Sequence, residues 1–157
     1  MLIFIDTEFT DFKNAELISI ALVPEDGRQE FYAELPVNLC KCSEFVLSTV
    51  VPQLGKVATA QCTRNELQGR LSLWLEQFAH HSPVTICFDF AGDWQLFCEV
   101  LKSDIPTWLG GRNINRHIDQ VALKMFFIEY GLQDHHALND AKANRHAYDR
   151  TADNTHV

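Results

Sequence analysis

Long apolar runs, an excess of positive charge and paired cysteines are all missing from this 157-residue chain, and each absence removes a class of function. No stretch approaches the roughly 18 uncharged residues that a membrane span needs, so a helical membrane protein is not expected. The opening MLIFI carries no basic residue before Asp6. A secretory leader is therefore not expected, and the cytoplasm is the expected compartment. Lys and Arg number 13 against 21 Asp and Glu, a formal net charge of −8. That balance argues against a module that reads nucleic acid through a broad basic face. It leaves open a site whose clustered carboxylates hold divalent cations.

The cysteines are few and poorly spaced for metal. Cys40 and Cys42, in LCKCSEF, are one residue apart with no second pair in range. Cys87 and Cys98 fall in apolar segments and read as buried thiols. Repeats, linkers and low-complexity tracts are also absent. One domain over residues 1–150 is expected, with a polar tail at 151–157.

What is present reads as alternating elements. LIFID is an apolar strand, and ELISIALVPEDGRQEFYAEL is a hairpin with arms Leu17 to Val23 and Gln29 to Leu35 about the turn Pro24-Glu25-Asp26-Gly27. The stretch from Pro36 to Ala60 shows weak periodicity and reads as a variable insertion. From Thr63 a helix is expected, capped by Thr63 with Glu66 and striped by Leu67, Leu71, Trp74, Leu75 and Phe78. VTICF is a second buried strand, and AGDWQLFCEVLK a short helix with Trp94 in the core. Pro106 to Asn115 reads as a Gly-rich loop, QVALKMFFIEYGL as a helix stopped by Gly131, and Ala137 to about Arg150 as the last helix. The order implies one mixed α/β domain.

The chemistry sits in acids. Asp6 and Glu8 are two apart at the end of a strand, so both carboxylates face one side if the strand persists that far. Asp93 follows in FDFAGDWQLF, and HHALNDA carries His135 and Asp140. Five residues span about 140° of an ideal helix, so His135 and Asp140 would not share a helical face. The workable arrangement places His135 in the loop before the last helix and Asp140 in its first turns. Oxygen-only donors on rigid elements suit magnesium, and a pair of such ions suits phosphodiester hydrolysis. Taken singly, each acid has an ordinary rival role at a strand end or helix start; the ordered set carries the signal.

In the motifs IDTEFT, FDFAGDWQLF and HHALNDA the chain resembles the DEDDh subgroup of 3′–5′ exonucleases, the ribonuclease T and oligoribonuclease-like superfamily. Within it, the small bacterial 3′–5′ exoribonuclease-like branch is the most similar. The resemblance implies a ribonuclease-H-like mixed sheet flanked by helices. It also implies two Mg2+ ions, replaceable by Mn2+. Asp6, Glu8 and Asp140 would hold one ion, Asp6 would bridge to a second near Asp93, and His135 would be the general base.

A related subgroup carries tyrosine four residues before the last Asp, where this chain has His136, so the histidine version matches better. Family members commonly place a His-Asn pair before a Phe-Asp dipeptide in the central motif. This chain lacks the pair and offers Asp89 as an alternative to Asp93. Helix-opening position favours Asp93, leaving Asp89 to cap that helix or meet substrate. Phe9, Thr10 and Phe12 follow the first motif where the family holds the terminal nucleoside.

The implied substrates are single-stranded 3′ ends or overhangs of RNA, with DNA as the alternative. Products would be nucleoside 5′-monophosphates, and a homodimer is in keeping with such relatives. Two other functions remain open: a non-catalytic nucleic-acid-binding module on the same fold, and a haloacid-dehalogenase-like phosphatase with Asp6 as nucleophile. IDTEFT imitates the phosphatase opening only loosely, because Glu8 stands where a second Asp belongs.

Overall fold

Residues 1–151 are described by the computed structural model; residues 152–157, most of the expected polar tail, lie outside the described residues. Five strands form one mixed sheet in the order β3-β2-β1-β4-β5. β1 (Leu2–Phe9), β2 (Leu17–Pro24) and β3 (Phe31–Glu34) make an antiparallel meander. β4 (Val84–Phe88) pairs with β1 in parallel, and β5 (Leu109–Asn113) extends the sheet in parallel from β4. The helices are α1 (Arg64–Glu76), α2 (Ala91–Leu101), α3 (Gln120–Tyr130) and α4 (Ala137–Ala147). This is the ribonuclease-H-like α/β architecture.

Period-two alternation along β1 decides which helices cover which face. Ile3 and Ile5 point into the main core with Leu67 and Leu71 of α1 and Phe97 and Leu101 of α2. Phe4 points the other way, into a cluster with Ile114, Ala147 and Tyr148. Ala21 and Val23 of β2 meet Ala137 and Ala141 of α4 on that same side, small residues on both elements allowing close approach. The sheet thus lies between α1 with α2 and α3 with α4.

Local signals worked where they were chemical. Thr63 accepts from the Glu66 N–H at 3.3 Å, and the Glu66 carboxylate accepts from the Thr63 N–H at 2.7 Å, a reciprocal cap that starts α1. Gly131, at φ 61°, ends α3 in the left-handed conformation that lacks a Cβ penalty.

Three expectations need correction. The Gly-rich loop contains β5, and one of its glycines serves packing: a Cβ on Gly111 would fall 2.8 Å from the Trp94 ring. Glycine weakens the strand signal, and pairing to β4 supplies what propensity does not. The last helix stops at Ala147, because Tyr148 leaves it to bridge Ile118 and pack edge-on to Phe4 at 5.5 Å. Cys87 is buried, but Cys98 is only half-buried.

The stretch 36–60 is neither helix nor strand. It is a chain of short 3-10 turns and one π turn, too brief to show a period, and Val46 and Val50 bury against Ile18 of β2. No helix among the described residues is long and apolar enough to cross a membrane.

Candidate active site

β4 ends at Phe88 while β1 runs on to Phe9, so Asp6 and Glu8 project beyond the carboxyl end of β4. Both share the face of Phe4, towards α4. The register between β1 and β2 slips between Glu8 and Phe9, an irregularity of the kind found beside functional sites. Parallel pairing brings Asp89, which follows β4, and Asp93, in the first turn of α2, to the same edge. α4 enters from the other side with Asp140 in its first turn.

The result is two sets of carboxylates with a common member. Ligand atoms of Asp6, Glu8 and Asp140 lie within 4.8 Å of one another, and so do those of Asp6, Asp89 and Asp93. Both aspartates that compete for the third acidic place therefore reach the cluster. Asp93 Oδ1 accepts from the Thr7 hydroxyl at 2.6 Å, while its Oδ2 is buried with no partner among the described residues. Asp89 accepts from Asn144 Nδ2 at 3.0 Å. It does not cap α2: the capping residue is Phe90, with no side-chain hydrogen bond, because the chain after β4 turns one residue later than the capping alternative requires.

Asp140 accepts from the His136 N–H at 3.0 Å, which fixes the carboxylate against the start of its own helix. His135 precedes α4 and lines the same cavity, its Nε2 3.7 Å from Asp134 Oδ2. It belongs to neither set of carboxylates.

Loss of water and then crowding raise Asp6, Glu8, Asp93 and Asp140. Burial, then the charges of Asp93, Asp140, Glu8 and Asp89, hold the Asp6 carboxyl well above the usual range. Glu8, 9% exposed, is pushed up to about 8 by burial first and by Asp140 and Asp93 second. Asp93, 2% exposed, rises to about 7 through burial, with the Thr7 hydrogen bond opposing. Asp140 rises to about 7 from burial, against the backbone bond from His136.

Among the described residues no Lys or Arg lines the cavity to neutralise this charge. Carboxylate-only donors, the orphaned Asp93 Oδ2 and the lack of a protein counter-ion fit hard divalent cations.

The cavity, about 480 Å³, has a second wall of aromatic rings. Phe9 stacks near Phe90 with centroids 5.9 Å apart, and Phe12 meets both edge-on at 5.2 and 6.0 Å. Phe12 is 81% exposed and Phe90 45%, so the rings present an exposed aromatic patch beside the acids. Gly92 permits the arrangement, since a Cβ there would lie 2.2 Å from the Phe90 ring.

Thr10 does not join this wall. It is 2% exposed, and its hydroxyl closes the turn to Asn14 and Glu16, so the expectation that it meets substrate does not fit its surroundings. Sequence reasoning also missed Phe45 and Phe90. Phe45 sits in the aperiodic stretch, 4.9 Å edge-on to the His135 ring, and nothing local marks it. Phe90 was visible only as the residue between two candidate aspartates.

No protein-family model and no curated protein matches the sequence. A solved structure described as 3′-end-specific recognition of a histone mRNA stem-loop by a 3′-exonuclease is similar, with a TM-score of 0.57 at 16% identity. The match covers 92% of this chain and 60% of that one, so the chain spans less than two thirds of the length of that protein. At this identity the likeness is one of fold: the chain is built on the fold of a 3′-exonuclease.

Proposed function

We propose that this chain is a metal-dependent 3′–5′ exonuclease of the DEDDh kind, acting on single-stranded 3′ ends or overhangs and releasing nucleoside 5′-monophosphates. The observation that carries the reading is the sharing of Asp6 between two carboxylate sets that meet at one cavity. The exonuclease fold supports it. Asp6, Glu8 and Asp140 would hold one cation, and Asp6 with Asp93 and Asp89 the other. When bound, Mg2+ or Mn2+ supplies Lewis acidity at the scissile phosphate and offsets its growing negative charge.

His135 takes the proton of the attacking water, imidazole being the side chain whose charge changes nearest neutrality. His135→Ala is expected to lower turnover by ~10²–10⁴, the usual share of a general base, with binding of a short oligonucleotide retained. Phe9, Phe12 and Phe90 offer ring faces and edges to the terminal nucleoside. Phe12→Ala should raise KM by roughly 5- to 150-fold, since one base stacked on one ring contributes about 1–3 kcal/mol. The thermal midpoint should barely move, because that ring is already in water.

The test is incubation of 5′-labelled RNA and DNA oligonucleotides with Mg2+, Mn2+ or EDTA. A ladder of products shortening from the 3′ end, absent in EDTA, is the expected outcome. RNA is the expected preference, from the likeness to the small bacterial exoribonuclease-like branch. Bound oligonucleotide without hydrolysis would point to a non-catalytic binding module instead.

A further inference from the structure

Left-handed backbone is uncommon for a residue with a side chain, yet His135 adopts it at φ 58°. Such a conformation is strained and persists only where its surroundings over-determine it. Gln53 is the chief restraint. It is 6% exposed and closes the short 3-10 turn Val51–Gln53 of the aperiodic stretch. Its Nε2 donates to the carbonyls of Asp134 at 2.8 Å and His135 at 3.0 Å, with Thr49 O also at 3.1 Å. Two amide hydrogens serve three backbone carbonyls, so one is shared.

Both carbonyls that bracket the His135 residue are thus held by a side chain 82 positions away in sequence. Neighbouring bonds finish the restraint. Asn139 Nδ2 donates to Gln133 O at 2.8 Å, and the Phe45 ring stands edge-on to the imidazole. The brace is itself anchored to the sheet. Glu34 of β3, 2% exposed, accepts from the Gly55 N–H at 2.8 Å and from the Gln61 side-chain amide.

We infer that Gln53 is a positioning residue for the reaction: its side-chain amide fixes the backbone at residues 134 and 135 so that the imidazole keeps its place in the cavity lining. This rests on the exonuclease reading. It also gives the stretch 36–60 a task, as the strut that carries Gln53 from β3 to the loop before α4.

Gln53→Met keeps the length and removes the donor; Gln53→Glu sets a carboxylate against the three carbonyls. Gln53→Met should lower kcat by about 10- to 100-fold with KM changed less than about 3-fold, as a misplaced catalytic group does. Gln53→Glu should be at least as damaging, and Mn2+ affinity should match wild type in both. In a His135→Ala background neither substitution should slow the reaction further, because the group they misplace is gone. Independently of activity, the His136 amide, which bonds Asp140, should exchange with deuterium faster in metal-free Gln53→Met.

Wild-type kcat in Gln53→Met, or an equal loss in the His135→Ala background, overturns the inference. Unchanged exchange at His136 does so as well. If the wild-type chain cleaves no oligonucleotide, the exonuclease reading fails instead, and the exchange experiment still decides whether Gln53 holds the loop.

Discussion

Asp6→Asn is expected to abolish hydrolysis and, at the same time, to make the metal-free protein more stable at pH 8. The activity loss follows from the position of Asp6 in both carboxylate sets, so that one substitution disturbs both candidate cation sites. Removing a single preorganised electrostatic partner of a transition state commonly costs 10²–10³ in rate, and a shared ligand should exceed about 10³-fold. The gain in stability has the opposite origin. Asp6 is raised by lost hydration and by four neighbouring carboxylates, all of which resist a further negative charge. An amide of the same shape has no charge to bury, so the cost of ionising this position beside its neighbours disappears. Each kcal/mol recovered moves the midpoint by about 2–4 °C in a chain of this size. Calorimetry in EDTA beside a labelled-oligonucleotide assay reads both effects. Lost activity with a lowered midpoint would mean that Asp6→Asn simply damages the fold.

Without metal, wild-type stability should fall as pH rises from about 5 to about 8. Glu8 stands near 8, and Asp93 and Asp140 near 7, when folded, all above the ordinary carboxylate range. A group whose pKa is raised by folding binds its proton more tightly in the native state. Its stabilising share is complete below the unfolded value near 4 and is lost as pH climbs through 7 and 8. Three such groups together should lower the midpoint by several degrees across that window, each kcal/mol being worth about 2–4 °C. Mg2+ or Mn2+ should flatten the curve by offsetting the charge that the proton would otherwise neutralise. Metal at 100 times its dissociation constant adds about 2.7 kcal/mol. A metal-free midpoint that is level or rising over pH 5–8 contradicts the buried, crowded arrangement of the acids.

Most of the carboxylates were legible because they obey short-range rules. Asp6 and Glu8 follow strand alternation, and Asp93 and Asp140 occupy first turns of helices that the apolar pattern locates. The reciprocal cap of Thr63 and Glu66 and the stop at Gly131 were legible for the same reason: each is a bond or a dihedral set within a few residues.

What was not legible depends on partners far along the chain. β5 is strand because β4 lies beside it, and Gly111 is glycine because Trp94 lies over it. Gln53 gains its role from carbonyls about 80 residues away, and Phe45 from the same loop. Thr10 had the right position beside the first motif, but a local turn claims its hydroxyl. Helix-opening position favoured Asp93 over Asp89, whereas the fold draws both towards Asp6.

Anomalous diffraction from crystals grown with Mn2+ measures the claim on which the catalytic reading depends. Two peaks are expected, one touched by Asp6, Glu8 and Asp140 and one touched by Asp6 with Asp93 or Asp89. An absence of peaks at this cavity under saturating Mn2+, or a single ion that Asp6 does not touch, would contradict it.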